Sequence, residues 1–299
     1  MISNSVCCVI VTYNIGESFY NCFNSIYTQV EQVVIVDNGS TKETLEVLAK
    51  ISNNTKAKVI YNNENLGIAA ALNKGIKFAE KNNYQWVLTM DNDSVSTDGM
   101  VEAMLNTYSS ISDDEKKIIA TIFPNYIEMG IEEVKKEEIK SDKKPNGYEY
   151  IKVEVASGNL VKTEIFNKVG YFKEELFIDL VDNDFCFKVL ELGLKHIKTY
   201  NAVLLHSLGK SRKKKLLFIT ITSTNHSYIR RYYITRNRLY VWRRYKNIVP
   251  EIISEDKIVF IKEIIKIILL ENDKYKKLKM IKKGYKDFKN NNFGPIVID

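Results

Sequence analysis

Nowhere in its 299 residues does the chain carry a run of about eighteen uncharged apolar residues. A membrane-spanning helix is therefore not expected. The opening stretch, Met1-Ile2-Ser3-Asn4-Ser5, is polar and runs straight into a strand pattern, with no basic region followed by a long apolar core. No secretory signal is expected from it. Cysteine is scarce: Cys7 and Cys8 sit side by side in an apolar strand pattern, and Cys22 and Cys186 lie in helix patterns. Neighbouring strand residues point to opposite faces, so these positions suit burial better than a bridge or a CxxC metal site, and they read as a reducing compartment. There is no internal repeat, and histidine is limited to His196, His206 and His226. After the first strand, Tyr13-Asn14-Ile15-Gly16-Glu17 offers one glycine and an acid. That argues against a nucleotidyltransferase, which carries a glycine-rich phosphate loop with a basic residue there.

What the chain does have is uneven charge. Residues 1–209 hold 21 Lys and Arg against 29 Asp and Glu, and residues 210–299 hold 23 against 8, so a body of charge −8 precedes a tail of charge +15. A basic tail can meet nucleic acid, anionic lipid or a polyphosphorylated ligand.

The first 120 residues alternate apolar runs with helix patterns. Val6–Val11, Gln32–Val36, Lys58–Tyr61 and Trp86–Met90 read as strands; Ser18–Gln29, Thr41–Ile51 and Ile68–Lys81 read as helices. Strands apolar on both faces, separated by helices, predict a mostly parallel sheet covered on both sides. Ligands of such sheets collect at the carboxyl ends of the strands. The conspicuous polar residues fall there: Thr12-Tyr13-Asn14, Asp37-Asn38-Gly39-Ser40, Asn65-Leu66-Gly67 and Asp91-Asn92-Asp93. Each alone suits turn or capping chemistry. Together they lie on one rim, in the order a nucleotide site needs. Two acids fixed two residues apart at a strand end repel unless a cation neutralises them, and oxygen-rich sites of this kind suit Mg²⁺ or Mn²⁺, which also take phosphate oxygens.

Val9-Ile10-Val11-Thr12-Tyr13-Asn14, Val34-Ile35-Val36-Asp37-Asn38-Gly39-Ser40, Asn65-Leu66-Gly67-Ile68-Ala69 and Asp91-Asn92-Asp93 resemble the successive motifs of glycosyltransferase family 2, inverting enzymes with a GT-A fold, from about residue 6 to residue 206. A narrower resemblance, carried also by Ala156-Ser157-Gly158-Asn159-Leu160, is to bacterial rhamnosyltransferases of O-antigen and capsule synthesis. The resemblance implies a GT-A domain over residues 1–210, with a nucleotide-sugar half to about 95 and an acceptor half after it, then a helical basic region over 211–299. It implies that Thr12, Asn14 and the backbone around Tyr13 line the nucleobase and ribose, and that Asp37 or Asn38 takes the N3–H of the base. Asn65 and Gly67 would let the chain pass close to ribose and phosphates, Asn92 would join the nucleotide site, Asp91 would hold the ribose side and Asp93 the metal.

An inverting transfer also needs a base for the acceptor hydroxyl. Phe177-Ile178-Asp179-Leu180-Val181-Asp182-Asn183-Asp184 puts three acids at the start of a helix pattern, more than capping requires. Asp182 resembles the catalytic base of the family, with Asp179 and Asp184 as alternatives; Asp184 would face acceptor or sugar. His206 ends the apolar run Ala202-Val203-Leu204-Leu205, where related enzymes complete the metal site with a histidine, whereas His196 reads as structural. Arg236-Asn237 matches a pair that similar enzymes carry near donor phosphates or acceptor.

Ile131–Tyr148 is charged and turn-rich, a solvent-facing excursion beside the acceptor side. In the tail, Tyr228–Tyr245 interleaves aromatics with arginine, Ile252–Leu270 is an apolar helix pattern bearing lysines, and Lys274–Lys289 is basic. Such faces either pack on the catalytic domain or lie in a membrane interface. The expectation is a cytoplasmic enzyme at the inner face of the cell membrane. It would use a pyrimidine nucleotide sugar, dTDP-rhamnose first and UDP-sugars next, Mn²⁺ or Mg²⁺, and a saccharide or lipid-diphosphate-linked acceptor; a homodimer is allowed and a nucleic-acid partner is not expected. The alternative of another class is a nucleic-acid or lipid binder acting through the tail, which leaves the acidic rim unexplained.

Overall fold

The computed structural model describes residues 5–128, 147–206, 212–216, 219–223 and 225–297. The chain runs β1 (Val6–Thr12), α1 (Phe19–Ile26), β2 (Gln32–Asn38), α2 (Lys42–Asn54), β3 (Lys58–Asn62), α3 (Ile68–Lys81), β4 (Trp86–Asp91), β5 (Val95–Ser96), α4 (Met100–Ser110), α5 (Asp113–Lys116) and β6 (Ile119–Glu128). It continues through β7 (Tyr148–Ile151), β8 (Asn159–Lys162), α6 (Thr163–Val169), α7 (Val181–Glu191), β9 (Lys195–His206), β10 (Arg212–Leu216), β11 (Ile219–Ser223), α8 (Tyr228–Tyr245), α9 (Pro250–Leu270) and α10 (Lys274–Lys289). Most of the charged excursion expected over Ile131–Tyr148 lies outside the described residues.

The main sheet has the order β3-β2-β1-β4-β8-β6-β9-β5, with β7 also paired to β9. Its first four strands are parallel. Beyond β4 it turns mixed: β8 is antiparallel to β4 and β6, β6 runs parallel to β9, and β5 and β7 run antiparallel to β9. β1 is buried along its whole length because alternate residues serve two cores. Cys8 and Ile10 pack with Phe19, Leu48 and Met104 on one side, while Cys7, Val9 and Val11 pack with Leu72, Ile76 and Phe166 on the other. All four cysteines are free and buried, and burial raises the Cys7 thiol to about 12.

This register builds the rim. Thr12 pairs with Asp37 across β1 and β2, and Val11 with Asp91 across β1 and β4. Three strand ends therefore finish side by side.

The C-terminal helices are bound into the same body. Ten of the eighteen residues of α8 are buried, including Arg231, Arg236 and Arg238. Phe187 of α7, Val241 and Tyr245 of α8 and Ile253 of α9 share one apolar cluster. Arg231 bridges Glu263 and Glu271 at 3.1 and 2.9 Å, Lys277 meets Glu271 at 2.8 Å, and Arg238 meets Asp256 and Glu263 at 2.9 and 3.0 Å. Breaking one partner of a buried pair leaves an uncompensated charge, so this ladder fixes how α8, α9 and α10 sit together. Arg231, Tyr232, Tyr233, Arg236, Arg238 and Tyr245 of α8 face protein, whereas Arg230, Arg243 and Arg244 are exposed.

Candidate active site

A cavity of about 770 Å³ opens at the carboxyl ends of β1 and β4 and is closed on its far side by α7, α8 and α9. Asp91, Asn92 and Asp93 line one wall, and Asp179, Asp182 and Asn183 line another. The third wall brings Arg230, Arg238, Ile252, Ile253, Asp256 and Glu263.

At the ends of β1 and β2 the short contacts are internal. Thr12 Oγ1 donates to Asp37 Oδ1 at 3.2 Å, and Asp37 Oδ2 accepts from the Gly39 and Ser40 amides at 3.2 and 3.1 Å. Asn38 donates to Asn65 Oδ1 and to the Gly67 carbonyl, and its own Oδ1 accepts from Asn62 Nδ2 and the Leu66 amide, all at 3.0 to 3.2 Å. Asn38 thus spends its amide shaping the Asn62–Gly67 turn. Asn65 Oδ1 also takes the Gly67 amide at 2.9 Å. Asn14, at φ 53°, is tied to the neighbouring turn by its amide on Ser40 Oγ and by Thr41 N on its Oδ1, leaving Tyr13 half exposed at the rim.

Gly67 is needed for a reason the sequence did not show. At φ 85°, a Cβ on it would sit 2.6 Å from the Phe177 carbonyl oxygen, so its close neighbour is the segment that precedes α7. The Ile68 amide donates to that same oxygen at 2.8 Å.

Asp91 and Asp93 both face the cavity, Asp91 half-buried and Asp93 exposed. Serine chemistry steadies their turn: the Asp91 amide donates to Ser157 Oγ at 3.0 Å, Ser157 Oγ lies 2.8 Å from Ser94 Oγ, and Asn92 Nδ2 donates to the Val11 carbonyl at 3.0 Å. Two carboxylates open to a cavity are hard oxygen donors, which fit a divalent cation that keeps water and takes phosphate oxygens. Among the described residues no three His, Cys, Asp or Glu side chains are grouped to hold a metal ion. The side chain of His206, expected as a ligand, lies outside the described residues.

The three acids before and within α7 separate clearly. Asp179 is held by Arg230, whose Nε and Nη2 each approach Oδ1 at 2.9 Å. Asp182 is half-buried, accepts the Asn183 amide at 3.0 Å, and has its carboxyl pushed above the usual carboxylate range, first by burial. Asp184, expected toward acceptor or sugar, is fully buried away from the cavity wall. It accepts the Tyr240 and Tyr245 hydroxyls at 3.2 and 2.7 Å and pairs with Lys188 at 3.0 Å, which anchors α7 on α8. His196 is buried between Thr121 and the Cys186 carbonyl, and burial lowers it to about 4.

Arg236 and Asn237, expected near phosphates or acceptor, are fully buried and do not reach the cavity wall. Arg236 Nη2 and Asn237 Nδ2 donate to backbone carbonyls within Glu175–Asp179. The cations that do line the cavity are Arg230 and Arg238, which sequence reasoning passed over. Arg230 meets Asp179 across 51 residues, and no local spacing announces such a pairing.

A parallel β3-β2-β1-β4 unit with an acidic rim, facing a second acidic edge across one cavity, is the arrangement of a GT-A type α/β enzyme. The model of glycosyl transferase family 2 matches residues 7–172, and the chain belongs to that family. It is 30% identical over 271 residues to the dTDP-rhamnosyl transferase RfbF of Shigella flexneri, covering 86% of each chain. Among solved structures it is similar to S. aureus TarS 1-349 in complex with UDP-GlcNAc (TM-score 0.56, 16% identity, 95% of this chain and 80% of that one). It is also similar to GalNAc-T7 with UDP, GalNAc and Mn²⁺ (TM-score 0.59, 15% identity, 83% of this chain and 49% of that one). The activity is that of a nucleotide-sugar glycosyltransferase.

Proposed function

We propose that the enzyme transfers rhamnose from dTDP-rhamnose, with inversion, to a saccharide or lipid-diphosphate-linked saccharide in cell-surface polysaccharide synthesis. The likeness to a dTDP-rhamnosyl transferase over most of both chains supports the donor. The observation that carries the mechanism is that Asp182 shares one cavity with the Asp91–Asp93 rim while the neighbouring acids are committed, Asp179 to Arg230 and Asp184 to α8.

Thymine and ribose sit over the ends of β1 and β2. Asp37 takes the N3–H, since its Oδ1 accepts only the Thr12 hydroxyl among the short contacts, while Asn38 is used up in the turn beneath. Asp91 faces the ribose side. Asp93 would hold Mg²⁺ or Mn²⁺, with His206 the second protein ligand expected from the sequence; such a cation would neutralise the diphosphate. Asp182 takes the proton of the acceptor hydroxyl as that oxygen attacks C1 of the sugar, and the C1–O bond to the nucleotide diphosphate breaks on the opposite face. The Ile234, Val241, Ile252 and Ile253 wall, with Arg230 and Arg238, receives the acceptor. The same tail bears an exposed apolar, lysine-flanked helix face suited to a membrane surface.

The test is nucleotide diphosphate release over a panel of nucleotide sugars with Mn²⁺, Mg²⁺ or chelator. Turnover of dTDP-rhamnose should need metal, Asp93→Ala should be silent, and Asp182→Asn should bind donor yet lose at least about 100-fold in rate. If UDP-sugars are turned over instead, the donor reading fails. Wild-type turnover by Asp182→Asn removes the base assignment.

A further inference from the structure

Between the single-turn helix Glu174–Leu176 and α7, the backbone makes an uncommon path. Phe177, Asp179 and Leu180 stand at φ 67°, 64° and 58°, left-handed positions that residues with a Cβ seldom take unless their surroundings impose them. The Leu180 carbonyl accepts the Asp184 amide at 3.1 Å as α7 begins, but the carbonyls from Glu175 to Asp179 draw partners from other parts of the chain. The Glu175 carbonyl accepts Arg236 Nη2 at 3.1 Å and the Gly294 amide at 2.7 Å; Leu176 accepts Arg236 Nη2 and Asn237 Nδ2 at 3.1 and 2.9 Å. Phe177 accepts the Ile68 amide at 2.8 Å, and Ile178 and Asp179 accept Asn237 Nδ2 at 2.8 and 2.9 Å.

Arg236 is built for this. Nε donates to Asn237 Oδ1 at 3.0 Å, and Nη1 reaches Tyr232 Oη and the Gly294 carbonyl at 3.3 and 2.7 Å. With the two bonds from Nη2, the whole planar fork is spent on neutral acceptors, amid the rings of Tyr232, Tyr233 and Phe293 at 5.1 to 5.2 Å. A buried cation without a carboxylate among its hydrogen-bond acceptors is an expensive way to hold a helix in place; apolar side chains of similar size pack there more cheaply. Its geometry makes sense by what it grips. One end of the gripped segment bears on Gly67 and Ile68 of the donor turn, and the other delivers Asp179 and Asp182 to the cavity.

We propose that Arg236 and Asn237 are positioning residues for sugar transfer, a brace from α8 that sets the 175–180 backbone so that the base and the donor turn keep their mutual placement. The inference rests on the reading of Asp182 as base. It requires a fork of donors, so lysine, with three donors from one point, does not replace Arg236.

The test uses the full chain with dTDP-rhamnose for turnover and dTDP for binding. Arg236→Ala, Arg236→Lys and Asn237→Ala should each lose about 100-fold in kcat, the scale of a base misplaced by about an ångström. Affinity for dTDP should change only a few-fold, and hydrogen exchange should rise across residues 174–184. Millimolar guanidinium should restore Arg236→Ala in part, leaving Asn237→Ala and Asp182→Asn unmoved; a variant that is merely less stable gains nothing from a denaturing cation. Should Arg236→Ala fail to fold, Asn237→Ser carries the kcat and exchange measurements. Wild-type kcat in the folded Arg236 and Asn237 variants overturns the brace. So does a loss of kcat matched by an equal loss of dTDP binding without guanidinium rescue. Full activity of Asp182→Asn instead sinks the base assignment alone.

Discussion

As the proposed base, Asp182 carries two opposed demands. Burial favours its neutral form, which raises the carboxyl above the ordinary value, yet a base has to be ionised. On the acid side kcat/KM, which reports the free enzyme, should therefore rise with pH through a midpoint above that of a free aspartate. The stability consequence has the opposite sense. A carboxyl whose folded pKa is raised contributes stability that is complete below its unfolded pKa and is lost as pH rises through the folded one. At neutral pH Asp182→Asn should unfold at a temperature no lower than wild type while losing transfer; an Asn variant that melts clearly earlier would show that Asp182 is held ionised by contacts the folded site favours. At this scale the sequence was half legible. Asp37-Asn38 stand at the strand end, and Asp179, Asp182 and Asp184 about the helix start, that their spacing in the sequence suggested. Which side chain was free to act was not readable, because Asn38 is consumed by Asn62, Asn65 and Gly67, and Asp184 by tyrosines 56 and 61 residues further on.

The elements themselves were closer to the surface of the sequence. Period placed α3 at Ile68–Lys81 and put the four parallel strands within a residue or two of their ends, because each is decided by neighbours in the chain. The antiparallel insertion of β8 between β4 and β6 was not readable, since it depends on which edges meet after the chain has turned back. The contact between the Gly67 turn and Phe177 is of the same kind. Gly67→Ala brings a Cβ against a backbone oxygen at 2.6 Å at a φ of 85°, where neither partner yields cheaply. We expect about 1–3 kcal/mol lost in urea unfolding together with weaker donor binding, since the turn and the α7 segment shift as one. Loss of stability with unchanged donor affinity would separate the two and argue that the turn does not shape the nucleotide site.

At the scale of the molecule, the tail does two things at once. One face of α9, with Ile253, Ile267 and Leu270, packs inward, and the helix also lends Asp256 and Glu263 to the arginines of α8. The other face exposes Ile258, Ile261, Ile265, Ile268 and Leu269, each between 47% and 59% accessible, at a spacing of three and four residues. No helix among the described residues is long and apolar enough to cross a membrane. Exposed Lys257 and Lys262 flank the stripe on both sides. Against a second copy of the helix those lysines would face lysines, whereas anionic headgroups attract them and the isoleucines enter the acyl boundary. If the proposed membrane contact holds, the basic excess of residues 210–299 would orient the cavity, whose wall is the inner side of the same helix, toward the plane of a lipid-linked acceptor. Binding to vesicles containing anionic lipid should be strong and should weaken with salt, and zwitterionic vesicles should bind poorly. Ile261→Asp with Ile265→Asp should reduce vesicle binding by about tenfold or more while release of dTDP from dTDP-rhamnose in free solution is retained. If those substitutions instead dissolve a dimer seen by sedimentation and leave vesicle binding untouched, the stripe is a contact between copies and the membrane reading of the tail is wrong.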